Sequence, residues 1–316
     1  MNKPWDVIVI GAGAAGLMCA IQAGLRGRRV LVLEKSNKVG KKILMSGGGR
    51  CNFTNLYTEP DNFLSHNPHF CKSALSRYTQ WDFIELVQRH KIPYHEKTLG
   101  QLFCDHSSKD ILDMLLRECG AANITIKTRV NIELLTRVEH FNLVGTVENK
   151  AVEYSSESLV VACGGLSIPS LGGSDFGYQI ARQFGHRVVP LRAGLVPFIF
   201  SDRFKILSEK LSGVSVPAIV SVGEISFNEN ILFSHRGLSG PAVLQSSNYW
   251  REGETVSINL LPALDATEFL LNTKHQQPRL LLRNCLASLL PRKLVIELES
   301  LWWPEVARQP IAEISE

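Results

Sequence analysis

The residues that most plainly carry chemistry lie at the start of the chain. Gly11-Ala12-Gly13-Ala14-Ala15-Gly16 follows the apolar run Val7-Ile8-Val9-Ile10 and precedes Leu17, Ala20, Ile21 and Gly24, which recur at helical spacing. A second apolar run, Val30-Leu31-Val32-Leu33, ends in Glu34. The unit reads as strand, tight turn, helix, strand, acid. Gly11 permits the turn, Gly13 leaves the backbone bare for a diphosphate to approach, and Gly16 lets the helix pack close to the sheet. Ala14 and Ala15 open the helix, whose free N–H groups and positive dipole end favour phosphate charge. Glu34 can accept hydrogen bonds from both ribose hydroxyls of an adenosine and would repel a 2′-phosphate. A lone G-x-G-x-x-G is weak, but with strand, helix and acid in place it predicts a dinucleotide site.

The stretch beyond Glu34 favours FAD over NAD. Lys41, Lys42 and Arg50 supply cations for a diphosphate, and Asn52 and Asn55 supply amides. Gly47, Gly48 and Gly49 make a loop whose backbone can lie against a flat or anionic ligand. No second G-x-G-x-x-G exists for a separate nicotinamide domain. Asn123–Val130 alternates like a third parallel strand, and Val130 either offers its backbone to the adenine edge or packs in the core. Leu159–Cys163 reads as a strand returning to the sheet, with Ala162 and Gly164 at its end near the cofactor. The catalytic candidates are Arg50, Cys51 and His235. Cys51 beside Arg50 is either a thiol of depressed pKa or a packing residue near the flavin. His235 is either a proton donor or a structural residue of its turn.

Four segments together resemble one bacterial flavoprotein family, that of YhiN-type, aminoacetone-oxidase-like and BaiN-type bile-acid reductase proteins. They are GAGAAG, then GKKILMSGGGRCNFTN, then Ala162-Cys163-Gly164-Gly165-Leu166-Ser167-Ile168-Pro169, then Phe233-Ser234-His235-Arg236-Gly237-Leu238-Ser239-Gly240-Pro241. The resemblance implies an α/β, glutathione-reductase-like FAD-binding (Rossmann) domain with an inserted β-rich domain and a small helical region. It places the adenosine at Glu34 and Lys35, the diphosphate at Gly11–Gly16 and the flavin near Gly47–Asn52. It also implies a C-terminal segment covering the flavin. The sequence ends at Glu316 without that motif, so the expectation is a first domain lacking its last pieces.

The elements that must position these residues divide the chain into a Rossmann-like domain (1–190), a β-rich domain (191–262) and a helical region (263–316). In the first, Thr79 caps a helix with Trp81, Ile84 and Val87 on one face, and residues 132–154 form short antiparallel strands. The 316 residues, 45% apolar and 20% charged, exclude a disordered or low-complexity chain. Seven cysteines without a C-x-x-C pair argue against zinc, leave the metal set empty and fit a reducing cytoplasm. A net charge of +4 leads to the expectation of no nucleic-acid partner, and the absence of a long apolar run to that of no membrane partner. The expected function is an FAD-dependent oxidoreductase reduced by NAD(P)H and acting on a small unsaturated or carbonyl compound. An NAD-dependent dehydrogenase and a non-catalytic dinucleotide-binding protein are the alternatives.

Overall fold

The computed structural model describes residues 3–315. Residues 1, 2 and 316, the outer ends of the first and third expected regions, lie outside the described residues. The chain divides into two compact units, Met1–Val189 and Pro190–Glu316.

In the first unit the elements run β1 (Trp5–Ile10), α1 (Ala14–Leu25), β2 (Val30–Leu33), α2 (Lys41–Met45), β3 (Asn52–Asn55), α3 (Lys72–Arg77), α4 (Gln80–Arg89) and β4 (Tyr94–Glu96). They continue with β5 (Gln101–Cys104), α5 (Lys109–Ala121), β6 (Thr125–Lys127), β7 (Val130–Arg137), β8 (Phe141–Val147), β9 (Lys150–Val161) and α6 (Phe176–Gln183). The main sheet has the order β6-β2-β1-β9-β8-β7. Strands β6, β2, β1 and the second half of β9 are parallel, while β7, β8 and β9 form an antiparallel meander. All four residues of β2 are buried because both faces of the sheet are covered. Val9, Val30 and Val32 pack on α1 and α5, and Ile8, Ile10, Leu31 and Leu33 pack with Val130, Ile132, Leu143 and Ile180.

Two local readings change. The residues expected as separate strands up to 154 and from 159 belong to one strand, β9, in which Ser156 faces Trp5 on one side and Phe141 on the other. Its polar centre, Ser155-Ser156-Glu157-Ser158, interrupts the apolar signal without interrupting the ladder. The third parallel strand stops at Lys127, Arg129 turns the chain at a positive φ of 59°, and Val130 opens β7 instead of closing β6. The cap on α4 is as read: Thr79 N–H donates to Asp82 Oδ2 (2.7 Å) and Asp82 N–H to Thr79 Oγ1 (3.3 Å). Its buried face is Ile84, Leu86 and Val87, whereas Trp81 points into solvent.

The second unit contains β10 (Phe198–Ile199), α7 (Asp202–Lys210), β11 (Ser215–Val222), β12 (Ile225–Ser234), β13 (Gly237–Ser239), α8 (Pro241–Ser246), β14 (Val256–Asn259), α9 (Ala266–Gln276), α10 (Leu282–Leu286) and α11 (Arg292–Trp302). Its antiparallel sheet has the order β10-β13-β12-β11-β14. Val216, Ala218, Val220, Ile231 and Phe233 of the sheet share one core with Leu294, Val295 and Leu298 of α11. Among the described residues no helix is long and apolar enough to cross a membrane.

Candidate functional site

The site is built where β1 turns into α1. Gly11 has φ +105°, and a Cβ there would lie 2.4 Å from the Ala162 carbonyl oxygen, so the turn packs against the end of β9. A Cβ on Gly16 would lie 1.9 Å from the Gly11 carbonyl oxygen, which is how closely the helix passes the turn. Gly13, the N-cap of α1, is different. A Cβ there would meet no protein atom within 4 Å. The first and third glycines serve packing and the second faces open space, as a cofactor cradle requires.

Glu34 holds this turn in place. Its Oε2 accepts the Ala12 N–H (2.9 Å) and its Oε1 accepts the Ser36 N–H (2.8 Å). Each oxygen keeps a further lone pair for a ribose hydroxyl. A groove of about 750 Å³ opens from the turn, and the expected residues Gly11, Gly13, Ala14, Ala15, Glu34, Lys35, Lys41, Lys42, Asn52, Ala162 and Gly164 line it. A smaller cavity of about 280 Å³ shares Gly11, Glu34, Lys35, Cys163 and Gly172 with it. Val130 lines the smaller one, but its N–H already donates to the Glu34 carbonyl (2.9 Å) and is not free for an adenine.

The flavin-side loop departs from expectation. Gly47, Gly48 and Arg50 are not among the groove's walls. A Cβ on Gly47 would sit 2.7 Å from the Asn52 nitrogen, so this glycine lets the loop fold back onto β3. The Arg50 side chain is exposed, and its carbonyl accepts the Cys104 N–H (2.9 Å). Cys51 does line the groove, at a positive φ of 51°. Burial pushes its thiol pKa up against a smaller downward pull from a Ser46 hydrogen bond, so the depressed pKa considered from sequence is corrected: Cys51 keeps its proton. His235 belongs to the second unit, exposed in the turn between β12 and β13. The structural bonds of that turn come from Ser234, whose Oγ donates to the Gly237 carbonyl (3.0 Å).

Sequence reading missed several walls. Lys38 completes a set of four lysines with Lys35, Lys41 and Lys42, and Phe83, Ile111 and Leu115 form an apolar wall. The lysine-rich run held the signal for Lys38. The apolar residues are indistinguishable in sequence from ordinary helix core. The loop residues Pro169–Gly172 also border the groove. Among the described residues none of the four lysines forms an ion pair. Four cations, a bare glycine cradle and a carboxylate with lone pairs to spare suit a dinucleotide, so the residues present fit FAD.

Fold and groove together define a Rossmann-type flavoprotein. The chain belongs to the HI0933-like family: it matches the HI0933-like protein Rossmann domain over residues 5–229 and the HI0933-like protein barrel and H2TH domain over residues 192–307. It is 53% identical over 299 residues to a ribosomal RNA dihydrouridine synthase of Escherichia coli, covering 94% of this chain and 74% of the relative. It is 48% identical over 319 residues to one of Haemophilus influenzae, covering 100% and 78%. A 3-dehydro-bile acid delta(4,6)-reductase of Clostridium scindens is 27% identical over 305 residues, covering 91% and 73%. The protein is therefore an FAD-dependent oxidoreductase of this family. The expectation of no nucleic-acid partner is overturned by the two relatives named for ribosomal RNA. The net charge misled because it averages two unlike units: the first carries 22 Lys and Arg against 17 Asp and Glu, the second 12 against 13.

Proposed function

We propose that the protein reduces the C5=C6 double bond of a uridine within RNA. The observation that carries this reading is the 53% and 48% identity, along nearly the whole chain, to two enzymes named for that product. The target is an unsaturated bond conjugated to a carbonyl, the class expected from sequence, but it sits in a polymer instead of a free small compound.

FAD, when bound, supplies the hydride chemistry. The chain's own residues provide the surroundings. Gly13 and the start of α1 receive the diphosphate, and Glu34 holds the adenosine ribose. Lys35, Lys38, Lys41 and Lys42 bring four positive charges to the groove, more than the two negative charges of a diphosphate, and the surplus favours a polyanionic substrate. Cys51 holds a proton at Sγ on the groove wall, and saturating a carbon–carbon bond consumes one proton beside each hydride. Cys51 is the candidate donor within the first unit.

The test is mass spectrometry of nucleosides from unmodified ribosomal RNA incubated with the protein, FAD and NADPH. The reading expects dihydrouridine in place of uridine, and a Cys51→Ser variant with slowed formation at unchanged flavin content. RNA whose uridines all survive, beside a flavin that NADPH does reduce, would overturn it.

A further inference from the structure

Between β3 and α4 the first unit carries aromatic side chains that the fold leaves in solvent: Tyr57 is 67% exposed, Phe63 47%, Phe70 80%, Tyr78 38% and Trp81 58%. Large apolar groups rarely stay exposed together unless something covers them. This run has a distinct composition. Its exposed groups are mostly flat rings, and they alternate with exposed His66, His69, Lys72 and Arg77. Its two carboxylates, Glu59 and Asp61, lie together at the start, beside the turn Pro60–Asn62. Among the described residues neither Lys72 nor Arg77 forms an ion pair.

The run is anchored at its base and open along its length. The Leu56 N–H donates to the Gly100 carbonyl (2.8 Å), and Gln80 Nε2 donates to the Leu56 carbonyl (3.1 Å), tying the two ends together. Strand β3 leads into it from Asn52, which lines the groove. At this base Leu56, Trp81, Tyr94 and His95 wall a cavity of about 400 Å³ that also holds Gln88, whose Nε2 donates to the Tyr94 hydroxyl (2.8 Å). Glu85 and Glu96 border this cavity, which favours an uncharged base over a phosphate there.

We propose that residues 57–81 are a platform for single-stranded RNA, stacking unpaired bases on Phe70, Tyr57 and Trp81 while Lys72 and Arg77 contact phosphates. The proposal rests on the reading of RNA as substrate. Rings accept any base by stacking, and cations follow the backbone, so their alternation fits a strand whose bases are splayed out. A protein or lipid partner would be served equally well by aliphatic side chains and would need no such alternation.

The experiment measures binding of a fluorescent single-stranded RNA to the FAD-loaded protein by anisotropy. Phe70→Ala and Trp81→Ala should each weaken binding roughly tenfold, and Trp81→Phe should restore most of it. Lys72→Ala with Arg77→Ala should flatten the salt dependence. Flavin absorbance and its bleaching by NADPH should stay at wild-type levels throughout. Alanine variants that bind RNA as tightly as the wild type overturn the platform, even where dihydrouridine still forms. Variants that change only self-association or vesicle binding overturn it as well. Loss of dihydrouridine formation by the wild type itself counts against the substrate reading, and is scored separately.

Discussion

The two units each hold a cavity of similar size, about 750 Å³ in the first and about 830 Å³ in the second, yet the walls differ in charge and in bare backbone. The first sets glycine backbone, four lysines and one carboxylate against an apolar wall of Phe83, Ile111 and Leu115. The second is lined mainly by Phe198, Phe200, Phe233, Trp250 and Trp302 with aliphatic neighbours, its charges (Arg192, Arg251, Glu252 and Glu254) are balanced in sign, and Phe198 and Trp250 meet edge to face at 5.6 Å. The contrast teaches that volume alone assigns nothing. Bare amides and unpaired cations define a site for an anionic cofactor, whereas aromatic walls continuous with a packed core contribute stability.

The largest expected effect tests that division from the second unit. Phe233→Ala removes a buried ring from its core and should cost about 3–5 kcal/mol of stability in denaturant unfolding. Flavin content per folded molecule should be unchanged, and a matching loss of flavin would break the comparison. Within the first unit, Gly16→Ala and Gly13→Ala should separate packing from binding. The Gly16 change forces a methyl against the Gly11 carbonyl and should destabilise by about 1–3 kcal/mol. The Gly13 change meets no protein atom, so the cofactor-free protein should melt almost as before while FAD binds more weakly. Equal melting losses in both variants would contradict the cradle.

The smallest effect is at the cap of α4. Hydrogen bonds from the Thr79 hydroxyl and backbone N–H hold the Asp82 carboxyl below its usual range. A folded pKa below the unfolded value of about 3.9 gives a contribution that is present above that pH and fades as pH falls through the folded value. Thr79→Val should therefore show a shallower loss of stability below about pH 4 than the wild type. Identical acid limbs would remove the cap from the account.

Much of the first unit is legible because its signals are local. The glycine spacing, the all-apolar β2 and Glu34 each follow from backbone chemistry that any dinucleotide turn needs, and the structure puts them together. Val130 and β9 were harder, since Arg129 turns the chain at a positive φ and a polar stretch runs through the middle of one continuous strand, neither leaving an apolar pattern. Helix α7 went unread because its flanks carried strand-like apolar residues, and its own burial rests on Leu207 and on Leu211 beyond its end. At the site, the lysines were visible from sequence, but the fold-back role of Gly47 depends on Asn52 and Phe103, which only tertiary structure brings to it. Of the two readings open for Cys51, burial selects the packed, protonated thiol, because the arginine next to it in sequence is an exposed side chain in space.

The most direct test is anaerobic. The protein is reduced with NADPH until its flavin absorbance bleaches, freed of excess reductant, and mixed with unmodified ribosomal RNA. The account predicts that oxidised-flavin absorbance returns with RNA and not with buffer, in proportion to the dihydrouridine formed. A flavin that stays reduced in the presence of RNA, or that reoxidises equally without it, would contradict the account.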